Sequence, residues 1–196
     1  MEKSMIICDN DFLSAFLWIK KEDLLLKLFE GSLYVPDAVK NEYEILKKSK
    51  IGYFVYEKFN TLLNDKKLEL LTITVGSEEE KLMFNIRSAF QEKYGKVIGD
   101  GELEMITLAI SHNASFTVNT ASNNLKDIAA FIAEKQISNI TTMDVLCLLY
   151  EKGLKNFEEL EEIKKNMLLR KRNLPSISIK DYYNNQYKKV RIFKGN

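Results

Sequence analysis

The sequence predicts one α/β domain, a three-layer α/β/α sandwich with a central, mostly parallel sheet covered by helices. Short apolar runs of the kind found in buried strands alternate with amphipathic helical segments along most of the chain. Such alternation favours parallel strands joined by right-handed crossovers. With 196 residues, the chain is also long enough to bury a substantial core.

Each element has its own signal. Strand 5–8 is an apolar run that ends at two carboxylates. Gly31, before the second strand, is expected to end a helix, and Pro36, after it, is expected to begin one. Ser77 and Glu80 have the spacing of a capping box at a helix start. The predicted strands are 5–8, 32–35, 68–74, 115–119 and 139–141, and the predicted helices are 11–19, 22–30, 37–48, 51–64, 78–93, 101–112, 123–135, 143–152 and 157–169.

Charge is unevenly distributed although the net charge is only +1. Residues 164–196 contain ten lysines and arginines and one acid, whereas the preceding part contains 19 basic and 27 acidic residues. We therefore divide the chain into a domain of residues 1–155 and a C-terminal helix with a basic tail, residues 156–196. An acidic body suits metal binding and a basic tail suits phosphates, although a solvated tail without a partner explains the charge equally well.

Three tyrosines, Tyr182, Tyr183 and Tyr187, are interleaved with basic residues in this tail. This pattern is typical of side chains that stack on exposed nucleic-acid bases, and equally of a tail that docks onto the body. If the tail binds RNA, deleting residues 170–196 weakens binding and flattens its salt dependence.

Composition excludes several classes. No stretch approaches the ~20 apolar residues of a membrane span, and the start lacks a basic segment followed by a cleavage site. The two cysteines, Cys8 and Cys147, are expected to be reduced core residues rather than a disulfide. We expect a cytoplasmic protein without membrane association.

Acidic residues recur at the predicted ends of strands and starts of helices. If the sheet is parallel, side chains from neighbouring strand ends meet at one edge, where open α/β sheets bind ligands. An oxygen-only set of this kind suits Mg²⁺ or Mn²⁺, and a single histidine argues against zinc. The candidates are Asp9 and Asp11 after strand one, Glu42 on the helix after strand two, Asp100, Glu102 and Glu104 at the start of helix 101–112, and Asp127 after strand four.

Several of these acids also have a purely structural explanation. Asp100 is compatible with a loop or helix-capping position, and Glu104 with a solvated helix face. Asp127 is compatible with a capping arrangement begun by Ser122 or Asn123. Asp9 is the hardest to explain structurally because it directly follows a buried strand.

The order of these motifs resembles the PIN-domain ribonucleases. Ile6-Ile7-Cys8-Asp9 resembles the opening strand and first acid, and the run from Val35-Pro36 to Glu42 resembles the proline-led helix with the second acid. Gly101-Glu102-Leu103-Glu104-Met105-Ile106 is similar to the helix that carries the third acid. Residues 117–127, Thr141-Thr142-Met143-Asp144 and Lys152-Gly153-Leu154 are similar to the closing part, so the resemblance covers about residues 5–155.

The resemblance implies a divalent-metal-dependent endoribonuclease that cleaves single-stranded RNA with metal-activated water. It also implies a toxin-type nuclease with a protein inhibitor (antitoxin) as partner, and a homodimer. At the fourth acidic position, where the family has Asp, this chain has Ser122-Asn123-Asn124, and the nearest acid is Asp127. The implied catalytic and metal-binding residues are Asp9, Glu42, Glu102 and Asp127, with Asp11 and Glu104 as secondary metal ligands and Asn10, Ser122, Asn123 and Asn124 as substrate-binding residues.

Two alternatives remain open. Asp9, Asp11, Thr74, Lys93 or Lys96, and the segment from Gly99 to Glu104 also resemble the haloacid-dehalogenase phosphatases, with Asp9 as nucleophile and Asp11 as general acid. That interpretation leaves the run up to Glu42 unexplained, and Phe12 stands where a glycine is expected. The incomplete fourth acidic position is also compatible with a catalytically impaired module that binds RNA or protein.

Overall fold

The residues that the structure describes form a five-stranded sheet in which every pair of neighbouring strands is parallel. The computed structural model describes residues 5–30, 33–118, 125–135 and 137–190. The strands are β1 (Ile6–Cys8), β2 (Leu33–Pro36), β3 (Glu69–Leu71), β4 (Phe116–Val118) and β5 (Ser138–Ile140). Their order in the sheet is β3-β2-β1-β4-β5, which confirms the predicted α/β class with a parallel sheet.

The helices connect the strands in the expected alternation. They are α1 (Asn10–Trp18), α2 (Glu22–Phe29), α3 (Asp37–Leu46), α4 (Gly52–Asn64), α5 (Glu78–Tyr94), α6 (Asp100–Ser111), α7 (Leu125–Ala133), α8 (Thr142–Glu151), α9 (Phe157–Leu169), α10 (Ile179–Tyr182) and, after a π-helical turn at Tyr183–Tyr187, α11 (Lys188–Val190). No helix formed by the described residues is both long and apolar enough to cross a membrane.

The core consists of two apolar clusters, and β1 contributes to both. Ile6 and Cys8 belong to the larger cluster, whereas Ile7 between them belongs to the smaller one, as expected from the alternation of side chains along a strand. Helices α1–α4, α8 and α9 pack into the larger cluster, and α5–α7 pack into the smaller. Apolar residues therefore cover both faces of β1. The polar residues that follow Cys8 lie at the carboxyl edge of the sheet.

The predicted helix caps and strand ends agree with the structure except in detail. The Ser77 hydroxyl accepts from the Glu80 backbone N–H at 3.2 Å, but the Glu80 carboxylate accepts from the N–H of Gly76 at 2.7 Å, so the expected capping box is displaced by one residue. Strand β3 ends at Leu71 rather than residue 74 because its pairing with β2 ends at Leu71. The predicted helix stop at Gly31 lies outside the described residues.

The C-terminal segment is docked onto the body by polar and apolar contacts. Tyr182 donates a hydrogen bond to Asp144 at 2.8 Å, and Tyr187 donates to Glu151 at 3.1 Å. From α9, the ammonium of the buried Lys164 donates to the carbonyl of Ile177. Of the two explanations for the tail tyrosines, these contacts favour docking, and the segment belongs to the larger core cluster.

Candidate functional site

A cavity of about 260 Å³ opens at the carboxyl end of β1. Three helices contribute to it: α1, which follows β1, α3, which follows β2, and the N-terminus of α6. We call it the acid cavity because five of its nine lining residues are acids. Its lining residues are Asp9, Asn10, Asp11, Val39, Glu42, Gly99, Asp100, Gly101 and Glu102.

Asp9 occupies the junction between β1 and α1 and has a structural task there. Its Oδ1 accepts a hydrogen bond from the backbone N–H of Phe12 at 2.7 Å, which caps α1. The side chain also lines the acid cavity. The same carboxylate therefore serves the helix start and contributes negative charge to the site.

Glu42 reaches the cavity from the second turn of α3 and is held there by α1. Its Oε2 accepts from the Asn10 side-chain amide at 2.6 Å. The residue is exposed as a whole, yet protein atoms around its carboxylate desolvate it and raise its pKa. The hydrogen bond from Asn10 opposes this change in pKa, and the nearby charges of Asp11 and Glu102 add to it. Glu42 is thus a carboxylate whose charge is poorly compensated.

Helix α6 approaches Glu42 closely because it has a glycine in its first turn. A Cβ atom on Gly101 would lie 3.2 Å from Glu42 Oε1, which is tighter than an ordinary contact. The first-turn N–H groups of α6 lack intrahelical partners, and the positive, N-terminal end of the helix dipole lies at the cavity. Glu102, in the same turn, accepts weakly from the Gly99 N–H at 3.4 Å.

Tyr43, the neighbour of Glu42 on α3, is fully buried and stacks on Phe59 with 4.0 Å between ring centroids. Burial raises the pKa of its phenol, and the charges of Asp9 and Glu42 raise it further. Tyr43 therefore stays protonated at neutral pH. Its hydroxyl is buried and has no hydrogen-bond partner within the described parts of the chain.

Two arginines each form an ion pair with one of the more exposed acids of the acid cavity. Arg172, from the segment after α9, lies 3.5 Å from Asp11 and donates to the Ser14 hydroxyl at 3.0 Å. Arg87 of α5 lies 2.9 Å from Asp100. Neither arginine was predicted, because the sequence gives no local signal for either contact; Arg172 and Ser14 are 158 residues apart along the chain.

Two of the predicted acids lie elsewhere or have another partner. Glu104 accepts from the backbone N–H of Ala38 at 2.8 Å and so caps α3, while burial raises its pKa. Asp127 forms an ion pair with Lys96 at 2.5 Å and does not line the acid cavity. The predicted substrate-binding residues Ser122, Asn123 and Asn124 lie outside the described residues, whereas Asn10 does line the cavity.

The chemistry of the acid cavity fits a hard divalent cation, since its donors are carboxylate and amide oxygens. One observation supports the fit: Asn10 Oδ1 is buried and has no hydrogen-bond partner among the residues the structure describes. Over those same residues, however, no group of three or more acids, histidines or cysteines is arranged tightly enough to hold an ion. Asp9, Glu42 and Glu102 thus share a cavity without forming a closed coordination shell.

Comparisons with known proteins add nothing to this picture: no protein-family profile and no curated protein sequence matches the chain.

Proposed function

We propose that the protein is a divalent-metal-dependent endoribonuclease acting on single-stranded RNA, built as a three-layer sandwich of the PIN type. The observation that carries the proposal is the acid cavity, where Asp9, Glu42 and Glu102 come from three separate elements and line one site at the carboxyl edge of a parallel sheet. The resemblance of the sequence motifs to PIN-domain ribonucleases supports the same reaction.

Asp9, Glu42 and Glu102 would hold Mg²⁺ or Mn²⁺, with the oxygen of Asn10 as a further donor. The ion would supply charge neutralisation at the scissile phosphate and acidify a bound water. Asp127, which Lys96 neutralises, is assigned no part in this set. The three central acids carry the proposal without it.

The chain's own groups perform the remaining tasks. Glu42, whose carboxylate is desolvated and lies near the charges of Asp11 and Glu102, is the ligand whose charge a bound cation would neutralise most favourably. Asn10 fixes the orientation of that carboxylate. The first turn of α6 provides N–H donors for the phosphate oxygens, as helix N-termini commonly do.

Arg172 would bind a phosphate on the other side of the cavity. Its pairing with the exposed Asp11 is long and open to solvent, so an incoming phosphate can replace it at little cost. A guanidinium presents several donors in a fixed geometry that matches phosphate oxygens. The basic residues around it on the C-terminal segment would attract the RNA backbone.

The phosphatase alternative receives less support. It requires a lysine near Asp9, but Lys93 pairs with Glu134 and Lys96 pairs with Asp127. Neither lysine lines the acid cavity. A protein inhibitor and a homodimer stay predictions from the resemblance.

The test is cleavage of single-stranded RNA in Mn²⁺ by the wild-type protein and by Asp9→Asn. Asparagine is as good a helix cap as aspartate, so this variant retains α1 but loses one negative charge. We expect cleavage to fall at least a hundredfold, with folding unchanged. Asp23→Asn, in the first turn of α2, is the matched control and should cleave normally.

Equal cleavage by wild type and Asp9→Asn would refute the nuclease proposal. Hydrolysis of a small phosphate ester, with a phosphorylated Asp9 detected by mass spectrometry, would select the phosphatase instead. RNA binding that is insensitive to Asp9→Asn, without any cleavage, would select a binding module.

A further inference from the structure

A second cavity of about 540 Å³ adjoins the acid cavity and has no role in the chemistry above. The two cavities share Glu42, Asp100 and Gly101, so they lie side by side at the start of α6. We call the second one the side cavity; α3 and α5 form its other walls. A chain of nucleotides whose phosphate lies in the acid cavity would have its next residue here.

The walls of the side cavity combine apolar and polar groups in a way that suits a nucleoside. Ile45 of α3 and Met83 of α5 provide apolar surface, and Ile45 is 66% exposed although most large aliphatic residues that the structure describes are buried. Asn41 offers both a donor and an acceptor for a base edge. The size lies in the range of small-ligand sites.

Charge determines which part of a nucleotide this cavity can accept. Glu42, Glu104 and Asp100 lie on its walls and repel a phosphate from most of it. The exception is Arg87, whose partner Asp100 is 83% exposed on its side chain, so this ion pair is weak and exchangeable. A neutral base therefore fits the apolar part, and the phosphate that follows it fits beside Arg87.

We propose that the side cavity binds the nucleoside next to the phosphodiester positioned in the acid cavity, with Ile45 and Met83 against the base and Arg87 on the neighbouring phosphate. This proposal rests on the proposed ribonuclease function. A protein occupant is less suited, because the apolar side chains at the wall are too few for a stable interface.

The experiment compares binding of a four-nucleotide oligoadenylate with binding of its abasic counterpart, which has the same phosphates, in Ca²⁺ at low salt, where the cation would neutralise the acid cavity. We expect the wild type to prefer the base-containing ligand about tenfold, in the range that base contacts contribute in single-strand binding. Ile45→Ser should reduce that preference to about twofold, and Arg87→Ala should weaken the binding of both ligands by the same factor. Ile51→Ser, which removes another exposed isoleucine outside the cavity, should retain the full preference.

Equal affinity of the wild type for the two ligands, or an unchanged preference in Ile45→Ser, would overturn the proposal. Self-association that Ile45→Ser abolishes, with no base preference, would assign the surface to a second copy of the chain and also overturn it. Because binding is measured without Mn²⁺, a base preference lost in Ile45→Ser but without Mn²⁺-dependent cleavage would support the subsite while refuting the nuclease. Mn²⁺-dependent cleavage without any base preference would support the nuclease and refute the subsite.

Discussion

Replacing Glu42 by glutamine should stabilise the metal-free protein and remove its stabilisation by Mn²⁺. In the wild type the Glu42 carboxylate is desolvated and lies near the charges of Asp11 and Glu102, and its pKa is raised. An ionised group with a raised pKa lowers the stability of the folded state at neutral pH. Glutamine removes that charge, and its carbonyl oxygen can still accept the hydrogen bond from Asn10.

The expected size is modest because Glu42 is exposed to solvent. After discounting for screening, we expect a gain on the order of 0.5 kcal/mol in EDTA at pH 7, or about 1–2 °C in Tm for a chain of this length. The lower stability of the wild type should disappear as the pH falls through the raised pKa of Glu42, because protonation removes the unfavourable charge. The difference between the two proteins should therefore narrow towards pH 4.

Mn²⁺ should reverse the order of stability. At a concentration a hundred times its Kd, a ligand that binds only the folded state contributes about 2.7 kcal/mol, or roughly 5–10 °C here. The wild type should gain this amount and Glu42→Gln should gain much less. Thermal melts in EDTA and in Mn²⁺, followed by circular dichroism, measure both effects.

The control for this comparison is Glu44→Gln on the same helix. Glu44 accepts from Tyr56, pairs with Lys47 and does not line the acid cavity, so this variant should not be stabilised in EDTA and should respond to Mn²⁺ as the wild type does. A lower Tm for Glu42→Gln in EDTA would show that the carboxylate is structurally favourable. An equal response of Glu42→Gln and wild type to Mn²⁺ would remove Glu42 from the metal site.

Three further predictions concern the surroundings of the site. Arg172→Ala should reduce the slope of log affinity for RNA against log salt by about one, whereas the exposed neighbour Lys171→Ala should reduce it less; equal slopes for wild type and Arg172→Ala would exclude a phosphate contact. Gly101→Ala should weaken Mn²⁺ binding measured by calorimetry with little loss of stability, since its Cβ would displace the Glu42 carboxylate; unchanged affinity would contradict the assigned geometry. Tyr187→Phe should lower the free energy of unfolding in urea by about 1 kcal/mol through loss of the bond to Glu151, and no change would show that this bond does not hold the C-terminal segment.

The sheet and the helices that carry the central acids were predictable because local patterns determine them. The buried run before Asp9 identifies β1, and the proline that ends β2 places Glu42 on the following helix. Parallel pairing then brings the ends of β1 and β2 together, so two acids far apart in sequence had to share an edge. The position of the acid cavity therefore follows from the strand topology, which the sequence pattern predicts.

The partners of the acids were not predictable, because they depend on side chains that meet only in three dimensions. Nothing near Asp127 in the sequence indicates that Lys96 neutralises it, and nothing near Asp11 indicates Arg172. The pattern of the tail tyrosines fitted RNA binding and docking equally well. The contacts of Tyr182 with Asp144 and of Tyr187 with Glu151 favour docking.

Docking of the tail also changes how its role should be tested. Deletion of residues 170–196 would remove Ile179 and Tyr187 from the core along with the basic residues. A loss of RNA binding in that variant would therefore not separate electrostatics from unfolding. Single substitutions at exposed positions such as Lys171, Lys188 and Lys189 avoid this problem.

The most direct test of the account is a crystal of the protein soaked in Mn²⁺ and measured at the manganese absorption edge. We expect one or two anomalous peaks inside the acid cavity, within coordination distance of Asp9, Glu42 and Glu102. A cavity without a peak at saturating Mn²⁺, or a peak bound only by acids elsewhere on the surface, would contradict it.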